Sequence, residues 1–389
     1  MKALTKLIAV FVVFIFLPNA SASAADKEIF STAPRMNDGK KWRVGFYEGG
    51  PYTDYQKTFV ATVNGLMELG WIEKTEIPPQ EGERTKELWN WLTVNAKSKY
   101  IEFVKDAHCS ANWDKKLRKK ISDEVISRLN QKKDIDLIIA SGTWAGMDLA
   151  NDKHKIPTVV VSASDPLKAG IIKSIEDSGF DHVHARVAPF RYERQVQIFH
   201  DIVGFRKLGL VYENTDTGKV YAAIERVERI AKERGFEIVR CYSESDIPDQ
   251  SLAMESVRKC FRELGEKKVG AIYVTVQNGV NRENIPELVK ITNFHKIPTF
   301  SQSGSEEVKY GFFMSLAKAS FKPNGIFHAK TLAKIFNGAT PRQLDQIFES
   351  PPKIAINLRT AGIIGFDPPM EILGIADEIY QEIETPDQK

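Results

Sequence analysis

The sequence predicts an α/β protein made of two doubly wound parallel-sheet lobes. Three observations predict it. Apolar strand-like runs alternate with stretches of helical spacing along most of the chain. The runs are continuous rather than alternating, as in parallel strands covered on both faces. The whole pattern, complete by about residue 185, starts again near residue 207 over a similar length. A chain of 389 residues suits two cores better than one.

The first 25 residues stand apart. Lys2 and Lys6 precede an 11-residue apolar run, Leu7 to Leu17, and small residues follow to Ala25. This is the pattern of a secretory signal peptide cleaved near Ala24 or Ala25. A membrane anchor is the alternative, but the run is shorter than the ~20 residues a bilayer span needs. Removing this leader takes away two lysines and no acids, leaving 52 basic against 51 acidic residues. That balance argues against nucleic acid or an anionic membrane as the main partner. An exported chain meets an oxidising compartment, which permits one disulfide among Cys109, Cys241 and Cys260, best placed as Cys241 with Cys260. Three buried thiols are the alternative.

After a polar linker, residues 26–41, the elements follow in order. "WRVGFYEGG" is a strand ending in glycines. Phe59, Val63, Leu66 and Met67 then recur at helical spacing up to Gly70. Residues 74–98 are expected to form an inserted surface segment, with Trp89 and Trp91 packed against the domain. "YIEFV" is a strand, 114–130 a helix, "IDLIIAS" a strand, Trp144 to Asp152 a short helix and "PTVVVSA" a strand. In the second series "KLGLVYEN", "FEIVRCY", "VGAIYVTV" and "IPTFSQSG" are strands. The helices between them carry Val220, Ile224, Val227 and Ile230, then Val257, Phe261 and Leu264, then Ile285 to Phe294. Past these lie the strand "GFFMSLA", a helix with Leu332, Ala333 and Phe336, and the strand-like "KIAINLR". They are too few for a third domain, so the two lobes should share them.

Ligands of open parallel sheets sit beyond the carboxyl ends of the strands. The tips of the first series carry Glu48, Tyr52 and Tyr55, then Ser141, Thr143 and Trp144, then Ser162, Ser164 and Asp165. Those of the second carry Asn214, then Gln277 and Asn278, then Ser301. Hydroxyls and amides supply donors and acceptors. Glycines beside them let backbone approach a ligand, and the aromatic residues can wall a planar one. Helix N-capping competes with ligand binding as the role of any single Ser, Thr or Asp there.

Enzyme signatures are missing. "GTWAG" has Trp where a nucleophile would stand, Gly218–Lys219 lacks a phosphate-loop lead-in, and no dinucleotide fingerprint follows the first strand. His182 and His184 form H-x-H with no third ligand in view. No catalysis, cofactor or metal is expected.

Several stretches, among them "DLIIASGTWAGMDLANDKHKIPTVVVSASDPLKAGII", "AIYVTVQNGV", "LAKIFNGATP" and "KIAINLRTAGIIGFDPPMEILGIADEIY", resemble the ABC-transporter substrate-binding family that includes tryptophan- and tyrosine-binding receptors, within the type I periplasmic binding proteins. The resemblance spans about residues 42–384. It implies two lobes joined by a three-stranded hinge, closing on a small molecule handed to a membrane permease, with Ser141, Thr143, Ser164, Asp165 and Asn278 lining the cleft. The lobes are then expected as 42–185 plus 310–345 and 186–309 plus 346–389. The family usually carries an Asp soon after the first crossover, where this chain has Ala188–Pro189, and "G-I-D-Y" late in the chain, where this one has "K-A-S-F" with Lys318 and Ser320. If those acids hold an α-amino group, this pocket lacks that anchor; Lys318 either adds a cation or is a solvated strand-end lysine. The expectation is a monomeric periplasmic protein binding an aromatic amino acid or related carboxylate. A receptor presenting ligand to a membrane kinase is the alternative.

Overall fold

The computed structural model describes residues 30–80, 82–317, 321–349 and 353–385. The expected signal peptide and Lys318 lie outside the described residues. The first sheet contains β1 (Trp42–Glu48), β2 (Ile101–Ser110), β3 (Leu137–Ser141), β4 (Thr158–Val161) and β5 (Val183–Ala185), in the order β2-β1-β3-β4-β5. Every pairing is parallel. All five residues of β3 and all four of β4 are buried, which is why their sequences are unbroken apolar runs. Register places Ser141 beside both Glu48 and Val161, so three strands end at one level.

The second sheet contains β6 (Lys207–Tyr212), β7 (Glu237–Tyr242), β8 (Ala271–Val274), β9 (Thr299–Ser301), β10 (Met314–Ala317), β11 (Lys353–Asn357) and β12 (Ala376–Tyr380), in the order β12-β11-β10-β9-β8-β6-β7. The strands from β6 to β10 run parallel, and β11 with β12 runs against them. Cys241 and Cys260 are joined by a disulfide across β7 and the helix Gln250–Glu266. Cys109 is free.

Two expectations need correction. The stretch 310–317 does not join the first lobe, because Met314 and Ser315 pair with β9 and β10 as a whole pairs with β11. The chain returns to the first lobe only with the helix Lys322–Phe336, which lies against the helix Thr53–Glu68 and buries Ala329, Leu332, Ala333 and Phe336 in that lobe's core. The segment 74–98 is more than an inserted surface stretch, although Trp89 and Trp91 do pack against the domain as expected. It contains the helix Thr85–Asn95, whose Trp89 is fully buried with its ring against Phe46, Phe59 and Phe103.

The lobes are tied where the chain crosses between them. Val187 pairs in parallel with Ile347, its N–H donating to Gln346 O (2.7 Å) and its carbonyl accepting from Phe348 N (3.0 Å). The remaining passage runs from β10 in one lobe to Lys322 in the other. Among the described residues no helix is long and apolar enough to cross a membrane.

Candidate ligand cleft

The strand tips of both lobes face one another and touch. Lys115 meets Glu213, Lys57 meets Glu306 and Lys168 meets Glu225 across the gap. Arg226 of the second lobe reaches Asp165 of the first at 3.3 Å while holding Glu193 of its own at 2.6 Å. The Tyr192 hydroxyl donates to Ser164 O at 2.9 Å.

On one flank the contact is aromatic. Tyr55, Trp113 and Trp144 from the first lobe and Tyr221 from the second form one buried cluster with Tyr52 beside it. Trp113 and Trp144 meet edge to face at 5.4 Å, and Tyr52 and Tyr55 at 5.3 Å. The glycine after Ser141 is required here. Gly142 has φ +87°, and a Cβ on it would lie 1.9 Å from the Tyr55 hydroxyl. Ser141 Oγ, Trp144 Nε1 and Tyr221 OH are buried with no hydrogen-bond partner among the described residues. Nearby Asp246 is buried next to Glu213, whose Oε2 accepts from Asp246 N at 2.9 Å. Burial first, and then the charge of Glu213, raises the Asp246 carboxyl to about 7.

Two cavities open between the lobes. The smaller, about 40 Å³, is lined by Thr58, Ser162, Ser164, Arg186 and Arg191, with Asn324 and His328 from the helix Lys322–Phe336. Ser162 Oγ donates to Thr58 Oγ1 at 2.9 Å, and Ser162 itself sits at φ +56°, a left-handed conformation unusual for serine. The larger, about 250 Å³, is walled by Tyr52, Val280, Ile285, Tyr310 and Phe321, with Ser303 and several acids at its polar side. Tyr52 OH and Ser303 Oγ approach to 3.5 Å across it. Asp54 lines both. Larger hollows elsewhere, along the helices Lys115–Gln131 and Thr53–Glu68, are open surface grooves away from most of the tips.

The structure therefore brings Tyr52, Tyr55 and Trp144 together in the aromatic cluster, and Ser162 and Ser164 together on the small cavity. Thr143 supports them, its Oγ1 accepting from Ser164 N at 3.3 Å. Asp165 caps Lys168 N at 3.0 Å and joins the lobes through Arg226. Other expected residues are engaged elsewhere. Glu48 turns into the first lobe, where its Oε2 accepts from Thr85 Oγ1 at 2.7 Å and burial raises its carboxyl to about 8. Gln277 is held by Val211 O and the Ser243 hydroxyl, and Ser301 donates to Glu307 at 2.6 Å. Asn278 Oδ1 accepts from Gln250, with its Nδ2 buried and unpartnered. Asn214 is exposed. The two H-x-H rings serve separate contacts, His182 against His154 at 4.7 Å and His184 Nε2 with Asp345 O at 2.9 Å.

Arg186, Arg191, Asn324 and His328 were not visible to a reading confined to strand tips. Two arginines flanking a lobe-to-lobe crossover, and an Asn and His four apart on one helix, are the signals that could have found them.

A family model described as "ABC transporter substrate binding protein" matches residues 104–380. A conserved domain protein from Vibrio cholerae O1 biovar eltor superposes with a TM-score of 0.66 at 19% identity, over 87% of this chain and 100% of that one. An ABC domain from Streptococcus pneumonia, solved in complex with L-Trp, gives 0.64 at 18% identity, over 86% and 99%. These two likenesses show the fold. The Tyrosine-binding protein of Clostridioides difficile (strain R20291) is 25% identical over 172 residues, which are 44% of this chain and 46% of that protein. The chain thus spans about half the length of that curated relative.

Proposed function

The chain belongs to the ABC transporter substrate-binding protein family, and from that premise we propose that it captures an aromatic amino acid or related carboxylate outside the inner membrane for delivery to a permease. The ligand sits in the inter-lobe cleft. One observation carries this reading: loops from both lobes enclose adjoining cavities, the larger walled by Tyr52, Tyr310 and Phe321. Aromatic and aliphatic walls facing convergent polar groups are how small-molecule sites are built, and here the polar side carries five carboxylates and Arg282. The tyrosine-binding relative supports the aromatic class.

Mechanically, the lobes close about the crossovers as the ligand contacts both. Closure is driven only by contacts better made closed than open. The ion pairs that bridge the gap are partly exposed, and such pairs contribute ~0–1 kcal/mol each, so ligand contacts must supply the difference. Native mass spectrometry of freshly exported protein, followed by calorimetric titration with L-tyrosine and L-tryptophan, tests the reading. A co-purifying aromatic acid is the expected result. A sugar or a metal in its place would sink it.

A further inference from the structure

We infer, resting on the reading of the cleft as the ligand site, that the small cavity is a carboxylate subsite in which Arg186, with Arg191 beside it, receives the acid group of the ligand. The rest of the ligand then extends past Asp54 into the larger chamber.

The argument starts from charge. Most partly buried arginines of this chain have a carboxylate: Arg118 has Asp148 at 2.9 Å, Arg128 has Asp134 at 2.8 Å, and Arg226 has Glu193 at 2.6 Å. Arg186 and Arg191 differ. Arg186 Nη1 donates to Phe348 O at 3.0 Å, and Arg191 Nη2 donates to Gln302 O at 2.9 Å. Among the described residues neither forms an ion pair with a carboxylate. A guanidinium has five N–H donors in a fixed fork that matches a carboxylate in two-point contact. Holding one out of water with a single carbonyl partner is costly. The two also repel each other. Burial, and then the neighbouring Arg191 charge, lowers the Arg186 guanidinium to about 10. Asp54, on the same cavity wall, and Glu349 act the other way, and an anion received between the guanidiniums adds to them.

The rest of the wall is polar. Asn324 and His328 lie one turn apart on the same helix face, 8% and 1% exposed; Asn324 Oδ1, an acceptor that suits a ligand donor beside the acid, and His328 Nδ1 have no partner among the described residues. Burial and the Arg186 charge hold His328 well below the usual imidazole range, so it is a neutral hydrogen-bonding group at pH 7. Ser164 adds a hydroxyl, while that of Ser162 is donated to Thr58 Oγ1. Size selects as well. About 40 Å³ has room for a few water-sized groups, which suits a carboxylate and excludes an aromatic ring. The chamber of about 250 Å³ takes the ring.

The test is a calorimetric panel on the full exported protein: L-tyrosine, 4-hydroxyphenylacetate, L-tyrosinamide, tyramine and the aliphatic acid succinate, each against wild type and Arg186→Gln. The expected result is that wild type binds an acid and not its amide or amine counterpart, and that R186Q loses about thirty-fold or more in acid affinity. The comparison of acid with amide is made in wild type, so it stands even where the variant folds poorly. Tyrosinamide binding as tightly as tyrosine, or R186Q retaining wild-type acid affinity, would overturn the subsite and leave the aromatic ligand class standing. Succinate binding through Arg186 with no aromatic compound bound would uphold the subsite and overturn the aromatic class. Binding of no carboxylate in the panel to wild type would overturn the subsite.

Discussion

Gly325→Ala probes the packing that carries one wall of the cleft. Gly325 is in the first turn of the helix Lys322–Phe336, beside Asn324 and one turn before His328. A Cβ built on it would lie 2.3 Å from the Ala61 carbonyl carbon and 2.4 Å from its oxygen. Those atoms are backbone of the helix Thr53–Glu68 and cannot swing aside. A reciprocal close approach occurs at Gly65, where a Cβ would lie 2.8 Å from Ala329 Cβ. Ordinary contact begins near 3.4 Å, so the helices must part by about 1 Å locally. Overpacking of this kind costs about 1–3 kcal/mol, and each kcal/mol lowers the midpoint of a lobe this size by roughly 2–4 °C. The expected drop is therefore about 2–12 °C in a calorimetric melt. The control is Gly362→Ala, in the helix Leu358–Ile364 with nothing within 4 Å of the added carbon. It should be neutral or gain up to about 1 kcal/mol from helix propensity. Because the shifted helix holds Asn324 and His328, Gly325→Ala should also weaken ligand binding in proportion. A Gly325→Ala melt within 1 °C of wild type, or indistinguishable from Gly362→Ala, would refute the reasoning.

Three further predictions follow from the same coordinates. Trp144→Ala, which opens the aromatic cluster at the lobe contact, should weaken ligand binding more than Trp91→Ala, which removes a ring packed against the first lobe's core; equal losses in titration calorimetry would contradict the cleft assignment. Replacing Cys241 and Cys260 together by Ala should destabilise the second lobe by about 3 kcal/mol, the chain-entropy figure for a loop of nearly this length, read as a lower midpoint in denaturant that added reductant reproduces in wild type. Asp246 titrates to about 7 in the folded protein against about 3.9 unfolded. Between these values the folded state holds a proton the unfolded state has released, so this group's contribution makes stability fall as pH rises from about 4 to about 7 and stay flat above. Asp246→Asn should then gain on wild type as pH rises from 5 to 8. The difference between the two proteins is the quantity to read, since Glu48 acts in the same sense and buried His108, His154 and His184, all lowered by burial, act oppositely at lower pH.

The lobes were legible because their strands are buried on both faces. "LIIAS" and "TVVV" have no solvent side, so the apolar run and the strand coincide. β12 escaped because it is an edge strand, alternating half-buried and exposed. Tip residues were legible as a set but not singly. Glu48, the last residue of β1, is level with Val161 and points into the core, whereas Ser162, one residue past β4, points into a cavity; a side chain's direction past a strand end depends on loop torsions such as the φ of +56° at Ser162. The arginines and the Asn324–His328 pair were missed for another reason. They reach the cleft from a crossover and from a helix that returns to the first lobe after a passage through the second, and such juxtapositions over more than a hundred residues leave no local pattern.

Binding and closure are coupled through polar atoms as much as through shape. Ser141 Oγ, Trp144 Nε1 and Tyr221 OH at the aromatic flank, and Asn324 Oδ1 and His328 Nδ1 at the small cavity, are buried without a partner among the described residues. Each such group costs about 1–3 kcal/mol when it leaves water unpaired. Wherever closure takes them from water, that cost offsets what partly exposed bridges such as Lys115–Glu213 and Lys168–Glu225 return. Closing on water alone is therefore poorly rewarded, whereas a ligand that supplies an acid to Arg186 and hydrogen bonds to these atoms changes the sign of the balance. Discrimination then comes from the same source as motion: a molecule of the right size but without the acid leaves the two guanidiniums with only the charges of Asp54 and Glu349 nearby, and closing on it is less rewarded.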